Sequence, residues 1–72
     1  MEIQETLSFK EVRAEAENLW VSLMEKDPDN KIHLMKKIEM VFGHPMKLSE
    51  VTEDQVDLLY LVVLDMRDML AE

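Results

Sequence analysis

A chain of 72 residues with a formal net charge of −8 makes one domain, near the size at which a single hydrophobic core is barely stabilising. It has no cysteine, which removes disulfides and thiolate metal sites, and its two histidines are too few for a structural zinc site. The acidity opposes direct contact with nucleic-acid backbone or anionic lipid, whereas a 47% apolar content leaves association as the way for so small a chain to gain stability.

Met1-Glu2-Ile3-Gln4-Glu5 has neither the basic region nor the apolar stretch of a secretory leader. The unbroken apolar run Leu58–Leu64 falls far short of the roughly 20 residues that cross a bilayer. A cytoplasmic protein without membrane contact is the expectation.

The first helix is predicted over 8–26. Ser8 and Glu11 form an S-x-x-E capping box, with Leu7 and Val12 placed as its hydrophobic staple. At about 100° per residue, Phe9, Val12, Ala16, Leu19, Trp20 and Leu23 share one face, while Glu11, Glu15, Asn18, Ser22 and Glu25 share the other. Trp20 reads as a buried anchor.

The second helix is predicted over 28–42. Asp27-Pro28 supplies a cap and a first helical residue whose missing N–H would go unpaired anyway. Leu34, Met35, Ile38, Val41 and Phe42 make the apolar stripe, and His33, Lys36 and Lys37 form a cationic cluster on another face. Gly43 suits the left-handed stop and Pro45 prevents continuation. The connection that follows, Gly43 to Val51, is expected to turn Met46, Leu48 and Val51 inward.

The third helix is predicted over 52–71. Thr52 and Gln55 make a T-x-x-Q capping box with Val51 and Val56 as staple, and Glu53 and Asp54 sit at the positive end of the helix dipole. A strand competes, because Tyr60, Val62 and Val63 favour β structure. The cap and the apolar spacing at Met66, Met69 and Leu70 decide for helix. The fold class is therefore all-α: a small three-helix bundle forming a single helical domain over 1–72, either alone or intertwined with a second copy.

Motifs that carry chemistry are absent. Asp27-Pro28-Asp29-Asn30-Lys31 starts like a calcium loop but holds Ile32 and Ile38 where glycine and glutamate are needed. His33 and His44 lack partners at ligand spacing. His33, with Lys36 and Lys37 nearby, reads as an exposed histidine on a polar face. Ser8, Ser22 and Ser49 have no nucleophile setting. One glycine cannot build a phosphate loop, and the carboxylates lie on solvated faces. The size, acidity and methionine content resemble those of acyl carrier proteins, yet no serine follows an aspartate as their attachment motif requires. Helix-turn-helix binding is opposed by the long connection and by the acids on the third helix. No catalytic residue, metal or cofactor is assigned.

Partner contact is the remaining reading. Of seven methionines, Met24, Met35, Met66 and Met69 project to the apolar side and read as core. Met40, beside Lys36 and Lys37, reads as a contact residue. On the third helix the core side centres on Leu59, Val62, Met66 and Leu70. Opposite runs an acidic arc of Asp54, Asp57, Asp65, Asp68 and Glu72, with Leu61 and Leu64 in its middle and Tyr60 at its edge. An apolar patch with a polar rim is the anatomy of an interface. The expected function is a non-enzymatic, self-associating interaction module of accessory or regulatory role, a dimer with a protein partner as a further expectation. Tyr60, Leu61, Leu64, Asp57, Asp65 and Asp68 would meet Lys36, Lys37 and Met40 of a second copy across a two-fold axis. The alternative is an acidic mimic of nucleic acid that occupies a DNA-binding protein.

Overall fold

The computed structural model describes residues 8–72. Within them the chain forms three α-helices: α1 (Phe9–Lys26), α2 (Asn30–Phe42) and α3 (Val56–Ala71). Short 3₁₀ turns lie at Leu48–Glu50 and Glu53–Gln55. The described residues contain no strand, so the all-α three-helix reading holds.

α1 begins where Ser8, in extended conformation, accepts a bond on its hydroxyl oxygen from the Glu11 N–H at 3.5 Å. The expected staple partner Leu7 lies outside the described residues. The helix stops at Lys26 as expected. Its last carbonyls find partners locally: Leu23 O accepts the Asp27 N–H at 3.0 Å and the Asn30 side-chain amide at 2.9 Å. Asn30 thus closes the end of α1 while opening α2.

The start of α2 corrects the sequence reading. Asp27 does cap, taking the Asp29 N–H on its carboxylate at 3.0 Å. The next bonds, however, run i→i+3, from Asn30 N–H to Asp27 O and from Lys31 N–H to Pro28 O. Pro28 and Asp29 therefore form a tight turn of 3₁₀ type, and α geometry begins at Asn30 rather than residue 28. The other end is as expected. Gly43, at φ 87°, sends its N–H to Glu39 O at 2.8 Å, a backbone that any side chain would strain.

The third helix is corrected in the same way. Gln55 reaches back to the Thr52 N–H at 2.9 Å, the return arm of the capping box. The first turn is nevertheless 3₁₀, and α3 proper starts at Val56 rather than residue 52. Within the connection, Glu50 takes the Lys47 N–H at 3.0 Å. Val51 is buried, with Met46 and Leu48 half-buried against the core, so all three do turn inward.

The core is built around α3. Leu59, Val62, Val63 and Met66 are fully enclosed, and α3 packs along both α1 and α2, which touch each other much less. Val12, Ala16 and Leu23 face it from α1, and Leu34 and Ile38 from α2. Lys26, at the end of α1, donates to the carbonyls of Met69 and Leu70 at 3.0 and 3.4 Å. α1 and α3 thus end together, and a cation covers the negative end of α3. Two core assignments fail. Leu70 is 39% exposed, because it lies in the last turn of α3, where the lysine covers the backbone and no helix covers the side chain. Met35 is 49% exposed, because α2 meets α3 through Leu34 and Ile38 and so turns Met35 to the side that α1 does not reach.

Truncation separates the two sides of α3. Leu59→Ala should cost about 2–5 kcal/mol, the range for emptying a well-packed leucine site. Leu61→Ala should change stability by no more than ~0.5 kcal/mol. Urea melts of the dilute protein measure both, and equal losses would mean that α3 is rotated from the orientation described.

Candidate functional site

Three surfaces gather the residues singled out by sequence. The first is a ridge on the outer side of α3. Leu61 is 50% and Leu64 39% exposed. Asp57 stands four residues before Leu61 and Asp68 four residues after Leu64, so all four fall along one line of the helix. Asp57 and Asp68 are exposed. An apolar pair with an acid at each end is therefore what α3 offers to solvent.

The second surface is the seam between α2 and α3, where sequence reasoning placed partner-directed charges. His33 is exposed as expected, and its Nε2 lies 3.3 Å from Asp65 Oδ2. That oxygen is buried and has no other polar partner among the described residues. Asp65 therefore faces α2 of its own chain rather than a second copy. Lys37, one turn on from His33, is half-buried, while Lys36 and Met40 stay exposed. Tyr60 has partners within the chain as well. It is half-buried against the core, with the Arg67 guanidinium 5.7 Å from its ring centroid, close enough for a cation–π contact.

Arg67 is the residue that sequence reasoning missed. Its Nε and Nη2 donate to the two oxygens of Glu15 at 2.6 and 2.8 Å, a bidentate bridge from α3 to α1. Helical periodicity put Glu15 on the solvated side of α1. The partner supplies what periodicity cannot: an arginine long enough to reach across the seam. The paired guanidinium, through its hydrogen bonds, lowers the Glu15 pKa below its ordinary 4.5, against the opposing effect of desolvation.

The third surface was not foreseen. Because α1 and α2 both lean on α3, the side they turn away from it opens into an apolar cleft of about 500 Å³. Ile38 forms its floor, with Trp20 and Val21 on the α1 wall and Met35 on the α2 wall. Met46 and Leu48, from the connection, close one end. Val21 is 56% exposed, and Trp20 is half-buried rather than enclosed. Glu17, Lys31 and Lys47 stand around the mouth. The sequence did contain a signal: Val21 is apolar yet lies about 100° from Trp20, off the core side of α1.

Among the described residues no group of three His, Asp or Glu is placed to hold a metal, and no helix is long and apolar enough to cross a membrane. No family model, curated protein or solved structure matches the chain. The surfaces themselves carry the functional reading.

The Glu15–Arg67 bridge gives a pH signature. A carboxyl whose pKa is depressed on folding contributes stability that is present above the unfolded value and lost as pH falls through the folded one. Glu15→Gln should therefore be less stable than wild type at pH 7, and the gap between their urea midpoints should close below about pH 4. A gap of equal size at pH 7 and pH 3 would show that the charge of Glu15 is not its source.

Proposed function

We propose that this protein is a non-enzymatic interaction module that associates with copies of itself through the outer side of α3. One observation carries the reading: Leu61 and Leu64 stand exposed on α3, the most apolar of the described helices, while Leu59, Val62, Val63 and Met66 of the same helix are buried. Single surface leucines are ordinary. Two on one line, with an aspartate beyond each, have the layout of an apolar contact within a polar rim. A chain this small also gains stability from whatever its folded form binds.

The disposition of the acids favours this over mimicry of nucleic acid. A mimic displays its carboxylates as the binding surface. Here Glu15 is engaged by Arg67 and Asp65 faces His33, so two of the acids on α1 and α3 serve contacts between helices. An accessory or regulatory role fits a module whose described surface offers an apolar contact.

Sedimentation velocity tests the reading. Wild type is expected to sediment as a dimer at micromolar concentration. Leu61→Glu with Leu64→Glu should give a monomer with an unchanged helical circular-dichroism spectrum. A wild type that remains monomeric throughout the micromolar range would overturn self-association.

A further inference from the structure

We infer that the ridge of one molecule docks in the α1/α2 cleft of the next, so that copies join head to tail. This rests on the self-association proposed above and assigns to it a second surface. The occupant of the cleft is α3 of another copy.

Shape supports the pairing. The cleft runs along α2 from Lys31 to Ile38, seven residues or about 10 Å of helix axis. That length takes two apolar anchors one turn apart, as when an amphipathic helix lies in a groove. Leu61 and Leu64 are such a pair. The walls suit a docked helix as well. A half-buried tryptophan is the residue type most often dominant at contact centres, and Met35 has the freedom to adapt to what enters.

Charge supports it independently. Lys31, from the start of α2, and Lys47, from the connection, both line the cleft. Neither is in an ion pair among the described residues. The third charge at the mouth, Glu17, lies 3.5 Å from Arg13 on its own helix and is balanced there. On the ridge, Asp57 and Asp68 are about 16 Å apart along α3, one beyond each end of the leucine pair. Two lysines lining the cleft thus complement the two aspartates that flank the leucines of the ridge. A two-fold contact of ridge against ridge would set these aspartates against their own copies.

The two surfaces are separate on one molecule, since no residue of α3 lines the cleft. A chain cannot fill its own cleft with its own ridge, and a complex of two keeps one of each unfilled. Such an interface is heterologous and extends until it closes into a ring or is limited by concentration. The dimer expected at micromolar concentration is then its first step.

Complementation between two variants tests this. The ridge variant is Leu61→Glu with Leu64→Glu. The cleft variant is Val21→Glu with Met35→Glu, both at half-exposed positions where the fold tolerates charge. Each alone should sediment as a helical monomer, and an equimolar mixture should form a 1:1 complex, because the mixture restores one intact ridge and one intact cleft. Wild type should grow past the dimer as concentration rises. If the cleft variant dimerises as wild type does, or the mixture of two helical variants stays monomeric, the docking is overturned while self-association stands. A monomeric wild type would overturn both.

Discussion

The burial of α3 sets the rest of the molecule. Leu59, Val62, Val63 and Met66 are closed off from water, and the buried residues described form one core, as expected of so short a chain. Both other helices must therefore lie on α3, and they do so at the expense of lying on each other. Four fully buried side chains on one helix define a broad stripe, and two helices of ordinary amphipathicity are what it takes to cover it. The polar contacts follow the same geometry. Glu15–Arg67, His33–Asp65 and Lys26 with the last carbonyls of α3 each tie α3 to a neighbour. None of them is buried enough to dominate stability. Their effect is to fix rotation and register along seams that the apolar contacts leave free to slide.

Two consequences follow for the surface. A helix that is apolar on more than half its circumference has leucines to spare, and these emerge at Leu61 and Leu64. A pair of helices that meet a third more closely than they meet each other leaves a gap on the far side, and that gap is the cleft. The ridge and the cleft are thus the two remainders of one packing solution. A fourth helix would remove the cleft, as in four-helix bundles that close around their core. The described residues supply three.

Much of this was legible in the residues, and what was missed has a common cause. Capping signals and the glycine stop located every helix, because they act through bonds within four or five residues. The starts at Asn30 and Val56 fall a few residues later than the caps suggest, since a capping box specifies a turn without specifying whether that turn is 3₁₀ or α. The ridge was legible because it depends only on the periodicity of one helix. The cleft was not, because it depends on how far α1 stands from α2, and no spacing within either helix encodes that distance. Met35, Trp20 and Leu70 read as core for this reason: periodicity says which side a residue faces, not whether anything is there. The same limit hid Arg67 and Glu15, whose pairing joins positions far apart in sequence.

Net charge and local charge act at different ranges, which bears on how so acidic a chain would meet a copy of itself. At physiological ionic strength the screening length is about 8 Å, shorter than the distance between most surface charges on two docked copies. The total of −8 therefore slows approach and limits the size of an assembly more than it selects the faces that touch. Selection falls to the charges beside the apolar contact. On the outer side of α3 these are Asp57 and Asp68, and juxtaposing two such surfaces would concentrate four carboxylates around a strip too small to exclude water from them. The cationic cluster on α2 is only partly free to meet them, because His33 faces Asp65 and Lys37 is half-buried. Lys36 is exposed away from the cleft, whereas Lys31 and Lys47 line the cleft itself. A chain this acidic can associate with itself so long as unlike surfaces meet, and the ridge and the cleft are unlike in shape and opposite in local charge.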